Sequence, residues 1–181
     1  MAALRADAQR NLDRVLVAAG EAFAAHGPNV SVDEIARRAG VGHGTVFRRF
    51  PTKEALLAAV VAERIHELSA LAESLLAEPD AGAAFDGFVW QVAESQARDR
   101  ALFECGPLCA EVPEVAEAKV RLLEAMTQLV GRAQEQGSLR RDIEPADVPV
   151  LIGAPLMAGA QSGDPDAWRR YVAVVLDGLR T

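Results

Sequence analysis

The residues best suited to chemistry in this chain are cationic and polar side chains that lie close together between positions 43 and 53. Arg48, Arg49 and Lys53 carry positive charge, and His43 and Thr45 add groups that donate or accept hydrogen bonds. Arginine donates paired hydrogen bonds to guanine, and the unpaired amides at a helix start bind phosphate oxygens. These residue types at this spacing favour binding to nucleic acid.

Two short helices joined by a tight turn are predicted to position these side chains. Ser31 and Glu34 have the spacing of a capping box, and apolar residues then repeat at helical intervals. Gly40 stands where a helix ends in a left-handed conformation, and Gly42 is predicted to cap a second helix over residues 43–50. Two short helices with such a turn form a helix-turn-helix, whose second helix enters the major groove of DNA.

The second helix is predicted to divide its residues between a core and a DNA-facing side. Val46 and Phe50 are four residues apart, so both point to the core. Thr52 is expected to cap the next helix, where Lys53 adds charge to a phosphate site. For His43, contact with a base or phosphate and simple exposure are both open. The predicted DNA-contacting residues are Ser31, Gly42, His43, Gly44, Thr45, Phe47, Arg48, Arg49, Thr52 and Lys53.

Residues 10–60 resemble the DNA-binding domain of the TetR family of bacterial transcriptional regulators. The matching segments are residues 15–27, 31–42 and 44–56, in that order. The resemblance implies an all-α homodimer, in which a three-helix head is joined by a long helix to a domain for ligand and dimer contacts.

Three positions depart from the pattern of that family. Gly42 stands where serine or threonine often caps the recognition helix, and Arg49 replaces a frequent histidine. Phe47 stands where tyrosine usually supplies a hydroxyl to a phosphate, so that hydrogen bond is expected to be missing.

Composition is that of a small helical protein with an uneven charge distribution. The chain has 181 residues, half of them hydrophobic, and a net charge of −7. Residues 1–55 nevertheless carry eight Lys or Arg against six Asp or Glu, a balance of +2, and the rest carry −9. A mildly basic head on an acidic body is compatible with DNA binding, which depends on local charge. No apolar run reaches the roughly 20 residues of a membrane span, so no membrane contact and a cytoplasmic location are expected.

Beyond the head, the pattern predicts a helical body. The predicted domains are a helix-turn-helix domain over residues 1–52 and a ligand-binding and dimerisation domain over residues 53–181. A long helix should reach about Ala77. Two apolar helices, about 146–161 and 165–180, are the predicted homodimer contacts, and packing within one chain is the alternative for both. The second of these is predicted to be capped by Asp164 and to present a wide apolar stripe. That stripe consists of Trp168, Tyr171, Val172, Val175, Leu176 and Leu179.

A pocket for a small-molecule effector is predicted from apolar residues in the segments that surround the cavity in relatives. Ordinary core packing is the alternative for every one of them. The two cysteines are interpreted as buried thiols, with a redox role as the alternative, and no metal site is expected from them. The predicted pocket residues are Phe85, Phe88, Trp90, Phe103, Cys105, Leu108, Cys109, Met126 and Met157.

The favoured interpretation is a sequence-specific DNA-binding regulator, a repressor released from a palindromic operator by a small-molecule ligand. A helical ligand-binding dimer without DNA binding is one alternative. A helical enzyme is another, although the sequence shows neither a nucleophile–base pairing nor a metal-binding catalytic motif. No cofactor is predicted.

Overall fold

The computed structural model describes residues 2–181, with side chains described for residue 7 and residues 9–181. The described chain is all-α, as predicted, and its only strand-like feature is one antiparallel bridge between Leu139 and Arg180. In chain order the helices are α1 (Ala2–His26), α2 (Val32–Ala39), α3 (His43–Arg49), α4 (Lys53–Leu75), α5 (Ala81–Arg98), α6 (Arg100–Glu104), α7 (Pro113–Glu135), α8 (Val148–Gln161) and α9 (Ala167–Leu179).

The chain divides into two compact units, and the long helices α4 and α7 each contribute to both. The head unit comprises Met1–Ile65 and Asp99–Ala118, and the body unit comprises His66–Arg98 and Lys119–Thr181. This division by packing places the first half of α4 with the head. The predicted boundary between residues 52 and 53 separates two functions, DNA binding and ligand binding, and it stays a prediction.

The head unit is built around α1, which packs against both α2 and α6. Phe23, Ile35 and Leu56 are fully buried in its core. Cys105 and Cys109 lie in the same core. The head is therefore a packed scaffold that holds α2 and α3 in fixed positions.

In the body unit, α8 and α9 pack closely together and α5 lies against both. Gly159 of α8 permits this approach, because a Cβ atom there would lie 2.7 Å from the Cβ atom of Trp168. The predicted stripe on α9 mostly faces inward: Trp168, Val172, Leu176 and Leu179 are buried within the chain. For these four residues the structure therefore shows packing within one chain, the alternative to a dimer contact.

The start of α9 also differs from the prediction. Asp166, not Asp164, occupies the capping position. The Asp164 carboxylate accepts the Asp166 amide at 3.0 Å and an Arg170 hydrogen bond at 2.9 Å. These hydrogen bonds, that of the amide first, hold the pKa of Asp164 below its ordinary value. Asp164 therefore orders the turn before the helix.

None of the helices in the described part of the chain is both long and apolar enough to cross a membrane.

Candidate nucleic-acid interface

The turn between α2 and α3 is fixed by hydrogen bonds at both ends of α2. The Ser31 hydroxyl accepts the amide of Glu34 at 3.2 Å, which satisfies one of the unpaired donors of the helix start. Gly40 ends the helix at φ 65° and ψ 35°, in the left-handed region, and the amide of Val41 donates to Ala36 at 3.1 Å. The predicted helix-turn-helix geometry is therefore present.

The predicted capping box is only half formed. Ser31 makes its hydrogen bond, but the Glu34 carboxylate pairs with Arg38 one turn further along α2. Arg38 also lies 3.4 Å from Nε2 of His26. An ion pair between residues four apart on a helix competes with the second bond of a capping box, in which the Glu34 carboxylate would accept the Ser31 amide. The sequence pattern therefore predicted the helix start correctly but predicted the wrong partner for Glu34.

Helix α3 separates a buried side from an exposed one, as the sequence predicted. Val46 and Phe50 are buried in the head core. Gly42 begins the helix without a side-chain cap, and its carbonyl accepts the amide of Thr45 at 2.8 Å. The exposed residues of this segment are Gly42, His43, Gly44, Thr45, Phe47, Arg48 and Arg49.

Three cations lie on or next to this exposed side, and none has a neutralising carboxylate among the described residues. Within the described part of the chain, Arg48, Arg49 and Lys53 form no ion pair, and the Arg49 guanidinium lies 5.5 Å from the centre of the Phe50 ring. Thr52 caps α4 as predicted, because its hydroxyl accepts the Ala55 amide at 3.1 Å. Unneutralised cations suit contact with phosphates, and Lys53 in addition lies at a helix start.

His43 is held by two neighbours, one of which the sequence analysis did not identify. Its Nδ1 contacts the carboxylate of Asp33 in the first turn of α2. Its ring stacks on Phe47 with centroids 4.3 Å apart and planes 29° apart. Asp33 lies ten residues before His43, so the geometry of the turn brings the two together, and no short-range spacing signals it.

The residues predicted to line an effector pocket are divided between the two units. In the head unit, Cys105 and Cys109 are buried, Phe103 is half-buried and Leu108 is 70% exposed. Cys105 donates to the Ala101 carbonyl at 3.1 Å, and burial, with Glu104 nearby, raises the pKa of its thiol. A raised pKa disfavours the reactive thiolate, so this thiol has the character of a core residue.

In the body unit, Phe85, Phe88 and Met126 are buried, whereas Trp90 is half-buried and lies 6.3 Å from Trp168 between ring centres. Met157 is 68% exposed. A cavity of about 400 Å³ does exist in this unit, and Phe85 is the member of the predicted set that lines it. The predicted pocket as a whole stays a prediction.

Exposed cations on the second helix of a helix-turn-helix, carried by an all-α chain, define the class of helix-turn-helix DNA-binding proteins. Comparison with known proteins gives the family. The profile described as bacterial regulatory proteins of the tetR family matches residues 15–60, and that of the SbtR-like transcriptional regulator C-terminal domain matches residues 80–181. The chain therefore belongs to the TetR family of transcriptional regulators.

Individual relatives agree with this assignment. The crystal structure of a TetR transcription regulatory protein from Mycobacterium vanbaalenii is 37% identical, with a TM-score of 0.74 over 98% of this chain and 99% of that one. A TetR transcriptional regulator from Streptomyces coelicolor is 26% identical, with a TM-score of 0.73 over 93% and 97% of the two chains.

The similarity to curated relatives is concentrated in a shorter segment. The HTH-type transcriptional regulator TtgW of Pseudomonas putida is 44% identical over 64 residues, which are 35% of this chain and 48% of that protein. SrpR, also of Pseudomonas putida, is 42% identical over 64 residues, which are 35% of this chain and 30% of that protein. The match thus spans less than half the length of either relative.

Proposed function

We propose that this chain is a repressor that binds a palindromic double-stranded DNA operator through α3 and releases it when a small molecule binds the body. The observation that carries the proposal is the exposed side of α3, where Arg48, Arg49 and nearby Lys53 have no carboxylate partner among the described residues. Cations left unneutralised on a recognition helix are suited to phosphates and base edges.

The exposed residues of α3 divide between two kinds of contact. His43 and Thr45 lie in its first turn, the part of a recognition helix that meets base edges. Arg48 and Arg49 lie in its last turn, and Lys53 lies at the start of α4, where the helix dipole attracts a phosphate. Gly44 has open space around it, which allows close approach of the duplex.

A second copy of the chain supplies the second reading head. The proposed contact lies on residues 146–161 and 165–180. It uses the exposed sides of α8 and α9, and not the buried stripe of α9. Val150 and Met157 of α8 are both 68% exposed, and Val174 of α9 is 70% exposed. Residues 150, 154 and 157 share one side of α8, so they form an apolar face that a two-fold partner would cover.

The effector is proposed to bind in the body unit. Its cavity of about 400 Å³ falls in the range of small-molecule sites, and its lining includes both apolar and charged residues. Phe85 and Leu176 supply apolar surface, and Asp86 pairs with Arg180 at 2.8 Å. Such a lining suits a compact molecule with both apolar and polar groups.

The test is binding of purified protein to the promoter fragment upstream of its own reading frame, measured by fluorescence anisotropy. The triple variant Arg48→Ala, Arg49→Ala, Lys53→Ala should bind at least about tenfold more weakly, because it forms fewer ionic contacts with phosphates. The control Lys119→Ala, Arg121→Ala, Arg141→Ala removes the same charge from exposed positions of the body unit and should bind like the unmodified protein.

Equal loss in both triple variants would show that total charge, and not α3, governs binding. No preference for the native fragment over a scrambled one would favour the alternative of a helical dimer without specific DNA binding at that promoter. Circular dichroism of each variant establishes that it remains folded.

A further inference from the structure

Three side chains form a small cluster at the start of the recognition helix: Asp33, His43 and Phe47. Asp33 lies in the first turn of α2, and its carboxylate contacts Nδ1 of His43. Phe47 lies one turn beyond His43 on α3, and the two rings stack at 4.3 Å. The imidazole is thus held at one nitrogen and across one face.

The contact with Asp33 determines which nitrogen of His43 is available to a ligand. An ionised carboxylate only accepts hydrogen bonds, so the proton of the neutral ring must lie on Nδ1. Nε2 is then the nitrogen left for another partner. The His43 side chain, at the first residue of α3, is 52% exposed, so solvent and ligands reach the imidazole.

We propose that Asp33 is a positioning residue for DNA recognition, which orients His43 on Phe47 so that Nε2 meets one base edge in the major groove. The inference rests on the proposed function. A neutral ring accepts a hydrogen bond from the amino group of adenine or cytosine, whereas a protonated ring donates to guanine. Base preference at one position of the half-site therefore depends on a residue of α2 that itself makes no base contact.

Removal of the Asp33 carboxylate has two possible effects on DNA binding, one from its charge and one from its contact with His43, and the two can be distinguished. A carboxylate near the DNA repels phosphates, so its removal alone should raise affinity for every sequence. Loss of an orienting contact should instead lower selectivity at one base pair, because a ring that is no longer held must be ordered on binding. Affinity and selectivity are thus expected to change in opposite directions.

The test starts from selection of preferred sites by the unmodified full-length protein from a library of randomised double-stranded DNA. Binding is then measured on the selected duplex and on duplexes substituted singly at each position of the half-site. The variants are Asp33→Ala, Asp33→Asn, His43→Ala and the double variant Asp33→Ala, His43→Ala. Asp13→Ala is the matched control, because it removes one carboxylate from α1 of the same head unit.

Asp33→Ala and His43→Ala are each expected to lose roughly fivefold or more of the preference at the same base pair, and only there. The double variant should lose no more than His43→Ala alone, since the two residues act as one unit. Asp33→Asn keeps an acceptor oxygen and should retain much of the preference. Asp13→Ala should leave the preference unchanged.

The proposal is overturned if Asp33→Ala keeps the full preference at the base pair that His43→Ala affects, or if losses from the two residues add. It is also overturned if Asp33→Ala changes affinity for all duplexes by the same factor, as Asp13→Ala would. If the unmodified protein selects no site at all, the proposed function fails, and this inference fails with it. Thermal unfolding of each variant separates loss of recognition from loss of the fold.

Discussion

The prediction for Phe47 combines the resemblance to the family with the position of this residue in the structure. Phe47 is 37% exposed on the solvent-exposed side of α3, and its ring stacks on His43. The resemblance to the family implies that a tyrosine at this position would place its hydroxyl toward a phosphate. Phe47→Tyr should therefore add one hydrogen bond and tighten operator binding by about two- to tenfold.

The measurement is an anisotropy titration of Phe47→Tyr and the unmodified protein on the same duplex. The tyrosine ring should keep the stacking contact with His43. Base preference should therefore not change, and it serves as the internal control. Equal affinity of the two proteins would show that no phosphate lies within reach of this position.

At the level of elements, the helix-turn-helix contains two glycines for which the same substitution has opposite expected effects. Gly40 has φ 65°, a conformation that costs a residue with a Cβ about 1–2 kcal/mol. Gly44 lies inside α3 with open space around it, and alanine is up to about 1 kcal/mol better than glycine in a helix. Gly40→Ala should lower the free energy of unfolding, and Gly44→Ala should raise it.

Chemical denaturation followed by circular dichroism measures both changes. If Gly40→Ala were neutral, the left-handed turn would not be required for the head to fold.

The packing of α8 on α9 gives a second prediction at this scale. A Cβ atom at Gly159 would lie 2.8 Å from the backbone nitrogen of Trp168, and backbone is costly to move. Gly159→Ala should therefore destabilise the body by about 1–3 kcal/mol, the usual range for overpacking. Gly131→Ala in α7 meets nothing within 4 Å and serves as the matched control. Similar midpoints of thermal unfolding for the two variants would contradict this account of the contact.

The sequence was sufficient for the elements whose signals are local, and insufficient where the answer depends on neighbours. Ser31, Gly40 and Thr52 have caps or turns that depend on a few adjacent residues, and the structure confirms all three. The contact of Asp33 with His43 depends on the angle between two helices, which spacing does not encode. In α8, apolar residues occur on nearly every side, so periodicity did not show which of its faces is exposed.

At the scale of the whole molecule, the exposed apolar face of α8 and α9 predicts a dimer. Val174→Glu would place a charge in the proposed contact, where burial without a partner costs several kcal/mol. The variant should therefore be monomeric at concentrations at which the unmodified protein is a dimer. Analytical ultracentrifugation measures this, with Val17→Glu as the control, because Val17 is 63% exposed in the head unit. A dimer that persists in Val174→Glu would place the contact elsewhere.

This chain is proposed to read DNA sequence through the exposed side of α3. The most direct test compares its affinity for the native upstream fragment with that for a scrambled fragment, over a series of salt concentrations. Specific binding should exceed binding to the scramble by about a thousandfold or more at physiological salt, and both should weaken as salt rises. Equal affinity for the two fragments at every salt concentration, with the protein folded, would contradict the account.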